Sequence, residues 1–396
     1  WLAGYLWLAA LENLFNPDRA NRYRQAGYGL FLGYAVTQGV VLACSSLMGN
    51  VTFAPVIATL TIITLAGGVS FIKTRPSVSL PASPHAEQHV DTPWTTALVW
   101  IFAAWAVLHL IFAAIEILHV PVYPWDAWLS WLYRAKAWFY SGHVFVLDHP
   151  SDWLQGGGIA AYNTTANHYP TFMPVLALWA ATALGAWSET LVNLPTLFGG
   201  FALGLALYGQ SREQGMARWQ SALAAYLLLS IPLVGAHLSL AGYADIWMSG
   251  FTGLGFVALL AGLTRPNRWQ LILGFGMTAM GIATKAEGAV WLLAFMMALA
   301  LVVRIRLCLA TLAVAACLLG VAWLAGVSYF DLPLLGGAGV AEGRLFIPLL
   351  GSYALQSFDL WDDYWSNFIV GGSWHLLWVF VLFTIASLWR LPAGRL

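Results

Sequence analysis

From Val51 to Ile72 the chain reads VTFAPVIATLTIITLAGGVSFI, and no residue in that run carries a charge. Roughly 20 apolar residues wound as a helix cross the hydrocarbon core of a bilayer. Comparable runs recur at about 26–48, 96–118, 190–209, 221–240, 245–263, 270–284, 288–303, 307–329 and 367–388. Lipid offers a backbone amide no partner, so each run is expected to be a helix. Two others, 1–15 and 171–187, are apolar but short. The second is expected to be a re-entrant or tilted half-span broken near Gly185. The predicted fold class is all-α, a polytopic transmembrane helix bundle of about 10 to 11 spans.

With 60% hydrophobic residues, 9% charged residues and a mean hydropathy of +0.74, charge has to be read by position. Lys and Arg total 17 and so do Asp and Glu. That balance offers no basic face to nucleic acid, and no such partner is expected. Cys44, Cys308 and Cys317 lie inside apolar runs without the close Cys and His spacing of a zinc site, so they read as core residues.

The basic residues cluster at Arg19, Arg22 and Arg24, at Lys73 and Arg75, at Arg212 and Arg218, at Arg265 and Arg268, at Arg304 and Arg306, and at Arg390 and Arg395. The positive-inside rule assigns these turns to the cytoplasm. The opposite tips are then residues 49–50, 119–170, 242–245, 284–288 and 331–366, which hold most of the remaining charge. A Pro- and Ser-rich linker at 76–95 separates an N-terminal two-span addition, 1–75, from a main body, 96–396.

Within the first long loop, residues 123–139 read YPWDAWLSWLYRAKAWF. Winding them at 100° per residue puts Trp128, Trp131, Leu132, Ala135, Trp138 and Phe139 on one face, with Asp126, Ser130, Tyr133, Arg134 and Ala137 opposite. The strip is expected to lie as an amphipathic helix in the membrane interface, its rings at headgroup depth and Asp126 turned from lipid. Asp126 has two open roles, helix cap and general base.

Other polar groups fall on the same tips: His168 and Tyr169 in NHYPTFMP, Asp245 in GYADIW, and Lys285 with Glu287 in ATKAEGAVW. Ions at membrane depth are functional candidates, although a Lys and Glu pair also simply staples a hairpin. Asp148, His149 and Asp152 in LDHPSDW offer a divalent cation too few ligands, and a solvated loop is the preferred reading. Trp361 and Trp365, beside acidic residues, read as interfacial anchors. The GGG at 156–158 lacks a preceding strand and a P-loop Lys, which excludes a nucleotide fingerprint.

Taken in order, YPWDAWLSWLYRAKAWFYSG, HYPTFMPVLALWAATALG, GYADIWMSGFTGLGFVALL and ATKAEGAVWLLA resemble the bacterial GT-C superfamily of integral membrane glycosyltransferases, such as the protein O-mannosyltransferases and lipid A aminoarabinose transferases. The resemblance covers about residues 96–300. It implies transfer of a sugar, with inversion, from a polyprenyl-phosphate carrier to an acceptor hydroxyl on the extracytoplasmic side. It also implies Asp126 as catalytic base and a phosphate-binding cation, for which Lys285 stands first, then Arg344 and His168. Asp245, Glu287, Tyr169 and Arg134 complete the substrate-binding set. The chain departs from the pattern in having Ala127 where many relatives carry a second acid, and Thr171 where a second Pro is common.

No cofactor is expected, and the implied partners are membrane lipids, the lipid-linked sugar and an acceptor. The implied location is a bacterial inner membrane, with the site facing the periplasm or exterior. The alternative is a non-catalytic GT-C-like subunit that packs against partner membrane subunits in a larger complex.

Overall fold

A computed structural model of the chain describes residues 1–15, 21–75, 92–148, 150–156, 169–240, 242–265, 267–324, 328–332, 336–347, 351–356, 359–371, 374 and 377–388. It divides into two compact units, residues 1–289 with 373–396, and residues 290–372.

The first unit opens with α1 (Leu2–Phe15), α2 (Arg22–Met48), α3 (Phe53–Thr74) and α4 (Pro93–His119). A π-helical turn, Ala127–Trp131, runs into α5 (Leu132–Ser141), followed by a short α6 (Pro150–Leu154) and α7 (Phe172–Leu184). Then come α8 (Leu194–Glu213), α9 (Arg218–Leu229), α10 (Pro232–Ser239), α11 (Asp245–Thr264) and α12 (Arg268–Thr284). A longer helix, α13 (Gly288–Leu324), leads out of this unit.

Caps mark several of these ends. Asn21 accepts from the amides of Tyr23 and Arg24 to start α2, Thr92 and Thr95 form a capping box before Pro93 in α4, and Asn267 starts α12. The expected break near Gly185 is the left-handed residue that ends α7, at φ 72°.

Five helices are long and apolar enough to cross a membrane: α2, α3, α4, α8 with its preceding turn, and α11. The pair α9 and α10 makes a sixth candidate, bent by 61° at the break before Pro232. The described residues thus give five or six candidates where 10 to 11 were expected. The runs at 288–303 and 307–329, expected as two spans, are joined in one helix, α13. Of the run at 367–388, residues Leu377–Leu388 form α15, and residues 372–373 and 375–376 lie outside the described residues.

Close packing in the first unit depends on small residues. A Cβ on Gly4 would collide with the backbone of Gly29 and Gly33, which lets α1 lie directly on α2. Gly209 does the same for α8 against Arg24 of α2. At the centre, Phe31, Trp247, Phe172 and Phe251 meet edge to face around a closed square, with centroids 5.1–5.6 Å apart. Tyr28 donates to the carbonyl of Leu254 at 2.8 Å. Helix α2 therefore belongs to the core of the same unit as α7, α8 and α11, although the sequence marks off 1–75 by a linker. Residues 76–91 of that linker lie outside the described residues.

The all-α expectation misses a sheet in the second unit. Strands β1 (Tyr329–Leu332), β2 (Gly336–Ala341), β3 (Arg344–Ile347) and β4 (Gly351–Ala354) form an antiparallel meander in sequence order. Glu342 at φ 52° and Gly343 at φ 70° make the two-residue turn between β2 and β3, where a hairpin needs both residues left-handed. A short α14 (Trp361–Tyr364) and a π-helical stretch, Trp365–Val370, follow.

Candidate active site at one end of the helix bundle

The helix ends of the first unit sort into two groups. Arg24 pairs with Glu213, Arg265 donates to the carbonyls of Glu213 and Gln214, and Gln270 donates to Glu213. The start of α2, the end of α8, the end of α11 and the start of α12 therefore meet at one end. The other termini of those helices, with Asp245 and Lys285, lie at the opposite end, a helix length of about 30 Å away.

At that opposite end the π-turn sets Asp126. A π-helix brings residues i and i+5 into line, and the indole Nε1 of Trp131 donates to Asp126 Oδ2 at 3.0 Å. Asp126 makes no capping hydrogen bond, so its carboxylate is held by a side chain instead of by the helix start. An even 100° winding, which puts Trp131 on the face opposite Asp126, fails at the π-turn.

The interfacial placement of the strip is corrected as well. Trp131, Leu132, Ala135 and Trp138 are all buried in protein, and of the rings assigned to the lipid face Trp128 is the one well exposed. Arg134, expected on the open face with Asp126, is only 3% exposed. Its guanidinium donates to the carbonyls of Tyr169 at 2.7 Å and Pro170 at 3.2 Å and lies over the Trp138 ring. Burial pushes its pKa down to about 10. Arg134 thus fixes the chain entering α7, and it turns the Tyr169 ring onto Trp131, stacked at 4.9 Å.

A second loop closes from the side. Gly242 has φ 93°, and a Cβ there would stand 2.9 Å from Ala127 Cβ and 3.0 Å from Leu132 Cδ1. A residue without a side chain and with a left-handed backbone lets residues 242–245 press against the π-turn. Tyr243 follows. Burial raises its pKa, and the charges of Asp126 and Asp245 and the neighbouring Tyr123 raise it further, so it stays a neutral hydroxyl.

Lys285 ends α12 and donates to Asp245 Oδ1 at 2.8 Å, with Glu287 at 3.7 Å. Burial alone would lower its pKa. The hydrogen bond to Asp245, that residue's charge, Glu287 and Tyr169 outweigh burial and raise it. Two sets of contacts, Asp126 to Trp131 to Tyr169 and Lys285 to Asp245, lie within electrostatic reach of one another, with Tyr169 acting on Lys285 and both acids on Tyr243.

Asp126, Tyr169, Asp245, Lys285 and Glu287 are therefore brought together from four separate segments, as the sequence nominated them. Trp131 and Tyr243 belong to the same group and were not nominated. Tyr243 carried a signal, standing two residues before Asp245. His168 lies outside the described residues, as does His149 of the LDHPSDW run. Arg344 sits in β3 of the second unit, where it donates to the hydroxyl and carbonyl of Ser352 on β4. Among the described residues no group of His, Cys, Asp and Glu side chains is arranged to hold a metal ion.

No family model matches the chain, and neither a curated protein nor a solved structure matches it.

Proposed function

We propose that the chain is a membrane glycosyltransferase of GT-C type, transferring a sugar from a polyprenyl-phosphate carrier to an acceptor hydroxyl with inversion. Its site would face the periplasm or exterior of a bacterial inner membrane. The observation that carries this reading is the grouping at one end of the bundle of a half-buried carboxylate, Asp126, held by Trp131 on the Tyr169 stack, with an ammonium, Lys285, that is paired with Asp245 and lies within electrostatic reach of Tyr169.

The reaction needs a base on one side and a cation on the other. Asp126 takes the proton of the acceptor hydroxyl as its oxygen bonds to the anomeric carbon. The bond from that carbon to the phosphate oxygen breaks, and the carrier phosphate gains a negative charge. Lys285 answers that charge with an ammonium held protonated by its neighbours. Glu287, its looser partner at 3.7 Å and more than half exposed, is the group a phosphate displaces. The neutral Tyr243 hydroxyl supplies a donor, and the Tyr169 ring, backed by the buried Trp131, supplies an aromatic face that a sugar ring binds.

One observation favours the alternative of a non-catalytic subunit: Lys285 is already neutralised by Asp245 at 2.8 Å. Incubation with a panel of polyprenyl-phosphate monosaccharides, scoring release of the lipid phosphate, separates the two. Turnover of a donor that falls at least 100-fold in Asp126→Asn, with unchanged thermal unfolding, is expected. The side-chain amide of that variant still presents an oxygen to the Trp131 indole, so the fold is preserved. Equal turnover in the variant removes the assignment, and no turnover of any donor favours the subunit.

A further inference from the structure

Helix α4 runs unbroken, but its neighbour does not. The break before Pro232 turns α10 by 61° from α9, so the pair cannot follow α4 along its whole length. The consequence is a furrow. One cavity of about 300 Å³ runs along α4 past Val99, Trp100, Ala103, Val107 and Leu110, and a second of about 210 Å³ continues past His109, Ala113 and Glu116. They share Leu110 and Leu229. From Val99 to Glu116 the furrow extends roughly 26 Å at the helical rise, close to the thickness of a hydrocarbon core.

We propose that this furrow holds one acyl chain of an anionic phospholipid, with the lipid phosphate at Arg218. Width decides the kind of occupant. The 300 Å³ spread over the roughly 16 Å of α4 between Val99 and Leu110 makes a channel narrower than a helix of about 10 Å diameter. A single hydrocarbon chain fits that space, and a partner helix does not. Small residues, Ala103, Gly204, Ala222 and Ala225, keep it open.

Charge decides the headgroup. Arg218 is the cation lining the larger cavity, at its exposed basic end, and Tyr23 and Tyr208 stand there with it. A guanidinium takes a phosphodiester by two parallel hydrogen bonds, and phenolic hydroxyls add donors. Basic pockets between membrane helices suit anionic headgroups for this reason. The position also separates this lipid from any donor substrate. Arg218 starts α9 at the basic end, whereas a sugar-carrying phosphate would sit at Lys285, so the inference stands independently of the transferase reading.

The test is native mass spectrometry of the full chain released from nanodiscs containing equal phosphatidylglycerol and phosphatidylcholine. One retained phosphatidylglycerol per chain is expected, at least tenfold over phosphatidylcholine. Arg218→Gln, at an exposed position, should abolish that preference, and Ala103→Phe should fill the furrow and abolish retention. Val107→Trp, at a half-exposed position, repeats the filling test if Ala103→Phe fails to fold. Equal retention of the two lipids, retention unchanged in Arg218→Gln, retention unchanged in the filled variant, or a dimer that covers α4 in place of lipid would each overturn the proposal.

Discussion

Trp131 shows how much chemistry one side chain can set. It donates to the carboxylate of Asp126 while its face supports Tyr169. Trp131→Phe keeps the stack and removes the donor, and a hydrogen bond to a charged group is worth about 1.5–3 kcal/mol. Turnover, measured as release of lipid phosphate, is expected to fall between about 10- and 100-fold, and the unfolding midpoint to fall with it because the same bond is lost from a buried indole. Lys285 carries a pH signature. Its pKa in the folded chain is raised above 10.5, so its contribution to stability is complete below that pH and is lost as pH rises through the folded value. The difference in unfolding midpoint between the parent and Lys285→Met should accordingly be constant at neutral pH and shrink in strong alkali. A difference that grows with alkali would contradict the pairing with Asp245.

At the scale of elements, the loop at 242–245 and the π-turn are fitted to one another. Gly242→Ala places a side chain on a left-handed backbone, costing about 1–2 kcal/mol before any collision. The added Cβ also meets Ala127, so Asp245 and Lys285 should shift away from Asp126. A loss of activity larger than the loss of stability is expected, read as turnover against thermal midpoint. Elements were legible where lipid or capping dictates them: α2, α3, α4 and α11 follow their apolar runs, and Gly185 ends α7. The nominated tips met because charge in an apolar chain has few places to go. The strands were not legible, since LLGGAGVAEGRLFIPLL has no alternating pattern and its EG turn resembles a charged patch. The helix α13 runs past Arg304 and Arg306, which a reading by charge treats as a boundary.

The first unit as a whole is fastened at its basic end by an ion cluster that sequence reasoning missed. Arg24 and Glu12 are completely buried and 2.6 Å apart, Arg24 also meets Glu213 at 3.0 Å, and Trp269 and Gln25 donate to Glu12. By position in the sequence, Arg24 counts among the charges that orient the chain, and Glu213 belongs to a turn. Only the crossing of α1, α2, α8 and α12 brings them together, and no local pattern encodes that. Arg24→Met would leave two buried carboxylates without their cation, so a destabilisation of about 3–5 kcal/mol is expected in thermal unfolding. The two ends make a prediction of their own. In a background without native cysteines, Glu287→Cys and Arg218→Cys should react with an impermeant thiol reagent from opposite faces of the membrane. Labelling of both from one face would overturn the arrangement.

The turn at residues 127–131 has a consequence for what changes the chain tolerates. Deleting any one of its residues would let the helix wind through unbroken, and everything beyond would swing by about 100°. The indole would leave the acid, and Arg134 would leave the two carbonyls it holds. In this stretch the number of residues is itself information, and a substitution that spares every contact is gentler than a deletion that removes only Ala127.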